Sequence, residues 1–126
     1  MKWCVLGSGN FRWFNEETSL AIPKESLKVT NMFSLTKRPE PHFTSAGQQL
    51  SCFDLAALNS KGKYWVYLVG AASQHDRDSW LDRLVQSLSN RLVGCTMSQS
   101  TRLGWAYIKL GEPLNPLVGS RNNVPR

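Results

Sequence analysis

The chain has 126 residues, of which 41% are hydrophobic and five are tryptophan, enough for one domain with a core of its own. Its formal net charge of +6 is dispersed: residues 1–94 hold eleven basic and eight acidic side chains, net +3, and residues 95–126 hold four and one, again net +3, which fits weak attraction to an anionic membrane or a polyanion and singles out neither. Three cysteines (Cys4, Cys52, Cys95) without C-x-x-C spacing argue for a reduced, intracellular protein, and no apolar h-region or run of about 18 apolar residues is present to suggest a signal peptide or membrane span.

Lys2-Trp3-Cys4-Val5-Leu6 is a short apolar run of β-formers. Gly7-Ser8-Gly9-Asn10 is a turn signal, and Phe11-Arg12-Trp13-Phe14 resumes the alternation, so residues 2–14 predict a β-hairpin. Asn15 to Ser19 form a polar loop, followed by a short strand Leu20-Ala21-Ile22 closed by Pro23. Ser26 to Thr30 alternate as another strand, which Met32 to Leu35 either continue or follow with the next. Residues 36–49, with Pro39, Pro41 and Gly47, read as a long, polar, mobile connection. Leu50 to Leu58 predict a clear strand, Asn59 to Gly62 a turn, and Lys63 to Val69 the strongest strand of the sequence, rich in aromatic and β-branched residues. Cys4 and Cys52 fall in apolar runs and read as small core residues.

Residues 73–88 read as an amphipathic helix with a marked start. Ser73 suits the N-cap and Asp76, three residues on, completes a capping-box spacing, while Asp76 and Asp78 place negative charge where the helix dipole favours it. Trp80, Leu81, Leu84, Val85, Leu88 and Leu92 form one apolar stripe, with Arg91 and Gly94 suited to its end. Trp80 alone can bury roughly 200 Å². Strands followed by a helix argue for a sheet or barrel closed by that helix, not for βαβ units. Beyond it, Cys95 to Thr101 read as polar linker, Leu103 to Gly111 as one more strand, and Glu112 to Arg126, with three prolines, as a disordered end. The expected division is therefore residues 1–94 as the domain and 95–126 as an extension carrying a possible strand at 103–110.

In this order the pieces resemble a pleckstrin homology (PH) domain. Lys2 to Leu6 are similar to that family's second strand, with its basic-aromatic-x-Val-Leu pattern, and Phe11 to Phe14 to its third. Cys52-Phe53-Asp54-Leu55 is similar to its Phe-x-Leu strand, Tyr64-Val66-Leu68 to the next, and Asp78 to Leu84 to its C-terminal helix with the characteristic tryptophan, here Trp80. The resemblance covers about residues 2–93. It implies a strongly bent antiparallel sheet, mainly β, of seven strands in two near-orthogonal halves, with the helix plugging one open end. The family's first strand and the basic loop after it, which in phosphoinositide-binding members grips the head group, have no counterpart before Lys2. Residues 103–109 look like that strand in another place: they fill the vacant edge beside Lys2–Leu6, begin a following module, or are linker.

No catalytic constellation is visible. His42 and His75 are the only histidines, and no Cys/His cluster has metal-ligand spacing. Gly7 to Asn10 is too short for a phosphate cradle and reads as a hairpin turn. Asp76, Asp78 and Asp82 are helix-surface carboxylates explained by capping and by neighbours such as Arg77 or Arg83. Basic and aromatic residues do not interleave on one face, which speaks against nucleic-acid binding. The expectation is a non-catalytic, cofactor-free module, cytoplasmic and peripherally membrane-associated, taking anionic phospholipid head groups such as phosphoinositides weakly and with low selectivity. A protein-interaction adaptor is the alternative. The candidate head-group residues are Lys2, Arg12, Lys24 and Lys28 at the open end, with Lys37 and Arg38 as auxiliary charge in the loop.

Overall fold

The computed structural model describes residues 1–17, 23–92 and 102–113, and of residues 90–92 the backbone alone. Eight strands and one helix follow in chain order: β1 (Lys2–Gly7), β2 (Asn10–Phe14), β3 (Glu25–Lys28), β4 (Met32–Lys37), β5 (His42–Phe43), β6 (Gln49–Leu58), β7 (Tyr64–Ala71), α1 (Gln74–Leu92) and β8 (Arg102–Pro113). A 3-10 turn, Val29–Asn31, separates β3 from β4. All pairings are antiparallel. The sheet runs β3-β2-β1-β8-β7-β6-β4, with the two-residue β5 paired to β6 off this path. Among the described residues nothing joins β3 to β4, so the sheet is not closed into a barrel.

The predicted hairpin forms with a two-residue turn. Ser8 and Gly9 have φ of 53° and 77°, and positive φ at both central positions gives a turn whose twist matches that of the strands it joins. Alternation then sorts the side chains. Cys4, Leu6, Phe11, Trp13 and Leu27 face the core, while Trp3, Val5 and Arg12 face out. On the other half, Phe53, Leu55, Ala57, Tyr67 and Val69 join the same cluster.

That single cluster shows the bend. β2 and β7 stand three strand steps apart, about 14 Å along a flat sheet at ~4.8 Å per step. Yet the rings of Trp13 on β2 and Tyr67 on β7 meet edge to face with centroids 5.4 Å apart. The corner lies in β8. Its first half pairs with β1, from Leu6↔Arg102 to Lys2↔Ala106, and its second half with β7, from Gly70↔Tyr107 to Trp65↔Pro113. Near its end three steps of β8 oppose two of β7, a bulge at Gly111. A Cβ there would lie 2.6 Å from the Val66 carbonyl oxygen, so only glycine fits.

Helix α1 begins as its sequence dictates. The Asp76 amide donates to Ser73 Oγ at 3.1 Å and the Arg77 amide to the Ser73 carbonyl at 3.0 Å. Trp80 is fully buried, its ring 5.8 Å from that of Phe11 and packed over Gly104. The buried stripe is rotated from the expected one. Leu84 is buried and Leu81 and Leu88 are half-buried, but Val85 is 47% exposed, while Arg77 and Ser87 are buried. The face is set by what lies across from it, and Arg77 reaches over to donate to the Arg38 carbonyl at 3.3 Å. The expected contributions of Leu92, Arg91 and Gly94 lie outside the described side chains.

Three other expectations are corrected. Residues 36–49 are not one connection: β4 runs on through Thr36 and Lys37, β5 adds a short rung, and a turn at Gly47 (φ 84°) leads into β6. The strand of residues 26–30 ends at Lys28, because Val29 turns away to bond the Gly9 carbonyl through its amide at 2.9 Å. Glu112 and Pro113, expected in a disordered end, are still part of β8. The strand predicted at Leu20–Ile22, the linker 95–101 and the end 114–126 lie outside the described residues.

Candidate functional site

β8 and β1 each join two very different ends of the molecule. At the first, Arg102 and Gly104 meet α1. At the second, Lys2, Ile108, Leu110 and Pro113 help to line a solvent-open cavity of about 1230 Å³ with no helix residue in its walls. Lys24 and Glu25 at the start of β3 and residues 59, 61–65 and 67 of the β6–β7 hairpin supply most of the rest, with Trp13 below.

Local chemistry holds each segment in place. Asn59 is buried and its side-chain oxygen accepts from the amides of both Lys61 and Lys63 at 3.0 Å, while Gly62 takes φ of 75°. This tight turn, organised by an Asn side chain, projects two lysines on either side of a glycine. Glu25 Oε1 accepts from Ser60 Oγ at 2.6 Å, tying β3 to that turn. The Lys24 amide donates to the Trp13 carbonyl at 2.8 Å, and Lys2 Nζ donates to Asn15 Oδ1.

The cavity therefore carries four lysines and one glutamate, a local net charge of +3. None of the four lysines has a carboxylate within ion-pair distance among the described residues. The ion pairs that are found cluster on the helix side: Lys37–Asp78 at 3.2 Å, Arg38–Asp54 at 3.0 Å, Arg77–Asp78 at 2.9 Å and Arg102–Asp76 at 2.9 Å. The hydrogen bond to Asp54 pushes the Arg38 guanidinium further up, and Asp78 is held below the usual carboxylate range by Arg77 first and Lys37 second.

Of the six candidate residues, the cavity brings together Lys2 and Lys24 and leaves out the other four. Arg12 lies on the outer face, between Val5 and Ser26 on its neighbouring strands. Lys28 is exposed beside Asn10, at the far end of its strand. Lys37 and Arg38 are committed to Asp78 and Asp54. Lys61 and Lys63 were not among the candidates. The available signal was strand parity: Lys63 is in step with the inward Trp65 and Tyr67, as Lys2 is with Cys4 and Leu6.

Little else offers chemistry. Burial pushes the Cys4 thiol up to about 12 and Cys52 also upward, so both are inert at neutral pH. His75 is exposed and His42 lies against the Tyr107 ring. Among the described residues no group of three or more His, Cys, Asp or Glu is placed to hold a metal, and no helix is long and apolar enough to cross a membrane. No family model, no curated protein and no solved structure matches this chain.

Proposed function

We propose that this chain is a non-catalytic binding module of the pleckstrin homology type whose open cavity takes anionic groups, phosphoinositide head groups above all, and so brings a larger protein to a cytoplasmic membrane surface. The observation that carries this reading is the convergence of Lys2, Lys24, Lys61 and Lys63, from three separate segments, on one cavity without carboxylate partners. Unpaired ammonium groups make charge-assisted hydrogen bonds with phosphate oxygens, and each basic residue near an anionic surface contributes about 1 kcal/mol. The family type is supported by the seven strands of the main pairing path, by the tryptophan-bearing helix, and by β8, which stands beside β1 where the family's first strand belongs. On this reading the family's strand order is rotated in the chain. The lysines at the mouth are exposed to solvent, so binding is weak and poorly selective.

The test is co-sedimentation with phosphatidylcholine vesicles containing or lacking a phosphoinositide. Binding should require the anionic lipid and fall steeply with salt, since exposed charges are screened over about 8 Å at physiological ionic strength. Lys61→Glu plus Lys63→Glu should remove most of it, and Lys28→Glu should leave it nearly unchanged. No binding even at low salt removes the reading. The adaptor alternative would then take its place, supported by the outer face of β1 and β8, where Trp3 and Trp105 pair edge to face at 5.4 Å beside the exposed Leu103.

A further inference from the structure

The walls of the cavity are unlike those of a socket built for a head group alone. Its charge is at the mouth, where Lys24, Lys61 and Lys63 are exposed. Much of the remaining lining is aromatic and aliphatic: the buried Trp13 and Tyr67, the half-buried Trp65 and Ile108, and the exposed Leu110 and Pro113 of β8. At about 1230 Å³ it also exceeds the roughly 300–1,000 Å³ of sites that enclose a drug-sized molecule. Leu110 is 55% exposed and Tyr64 42%, so apolar surface on this wall stays in contact with water. Deeper in, burial raises the pKa of the Tyr67 hydroxyl and the neighbouring Asn59 side chain offsets part of that by hydrogen bonding to it.

We infer that the cavity takes a single-chain anionic amphiphile whole, the anionic head on Lys2, Lys24, Lys61 and Lys63 and the hydrocarbon chain against Trp65, Ile108 and Leu110. The inference rests on the reading of the cavity as an anion site and adds that the lipid's apolar part enters it. Charge complementarity fixes the head, and wetted apolar wall favours the chain. A head group held at a bilayer would use the lysines alone and leave the wall wet.

The experiment titrates the full chain with butyl, octyl and dodecyl phosphate below their micelle concentrations at low salt, with inorganic phosphate and an inositol phosphate as probes lacking a chain, read by tryptophan fluorescence and calorimetry. Affinity should rise about two- to fourfold per buried methylene. Leu110→Thr, at a half-exposed position, should flatten that dependence without weakening inorganic phosphate. Lys61→Glu plus Lys63→Glu should weaken every member by a similar factor. Equal affinity at all chain lengths, with the lysine variant still weakening all of them, overturns this inference and leaves the anion site standing. A chain-length dependence untouched by Leu110→Thr overturns the placement against β8. Failure of every probe to bind removes both the inference and the reading it rests on.

Discussion

The helix-capped end and the open end of this sheet are built from the same strands, yet they treat charge in opposite ways. At the capped end each of four basic side chains stands within 3.2 Å of a carboxylate, and Arg102 also lies 4.6 Å above the Trp80 ring. At the open end four lysines gather around apolar walls with one glutamate, itself engaged by Ser60 and the Ser26 amide. The first arrangement holds elements together. The second leaves four lysines without a carboxylate within ion-pair distance among the described residues, an arrangement that holds no elements together. The difference shows that basic residues are informative about function only once their partners are known.

The comparison can be broken most severely through the element the two ends share. Truncation before Arg102 removes the strand between β1 and β7, exposing two unpaired edges and the inner face of the bend. The expected result is loss of a cooperative unfolding transition, checked by circular dichroism on heating. A melting temperature within a few degrees of the intact chain would show that β8 is dispensable.

The capped end comes next. Trp80→Ala removes a fully buried indole and should cost about 3–5 kcal/mol, a large share of a typical 5–15 kcal/mol. Chemical denaturation measures it, and a loss under about 1 kcal/mol would contradict the packing described. Arg102→Ala should cost less, about 1–2 kcal/mol, because it breaks a half-exposed pair with Asp76, a bond to Ser79 at 2.7 Å and the contact over Trp80.

The smallest effects separate the ends most sharply. Lys61→Glu plus Lys63→Glu should leave stability within about 0.5 kcal/mol of wild type, since neither residue has an ion-pair partner among the described residues. Asp78→Asn should lower it slightly and only at low salt. Because Asp78 titrates below its ordinary value in the fold, its contribution is present above the unfolded carboxylate range and fades as pH falls through its folded value. Stability curves of the two proteins should therefore converge in acid. A gap that widens there would reverse the sign.

Much of the frame was legible in the sequence, because local rules and tertiary context agreed. The Gly7 to Asn10 turn, the long apolar strands at 50–58 and 63–69, and Ser73 with Asp76 each specify their own geometry. β4 and β5 were less legible, for they lie at a sheet margin, and residues such as Thr36, Lys37 and Phe43 stay exposed with no apolar alternation to report them. Val85 misled in the same sense: helical period allowed it in the stripe, but the surface opposite is smaller than the period permits. For the site, parity carried more than was drawn from it. The alternation that puts Phe11 and Trp13 inside puts Arg12 outside, and Leu27 does the same to Lys28. Lys61 was not legible, since its position depends on an Asn59-organised turn folding over the mouth.

The place of β8 in the sheet also governs how the molecule can assemble. Its partners on β1 are about a hundred residues away, as in Lys2↔Ala106, and every other described strand is made before it. Such long-range closure slows folding. During synthesis the chain passes through an interval in which β1 and β7 exist with facing edges unsatisfied and Trp80 has no floor. Until residues 102–113 emerge, the nascent chain is a template for the strands of its neighbours. The fraction of chains that fold rather than associate should therefore depend on how soon residues 102–113 follow β7 out of the ribosome.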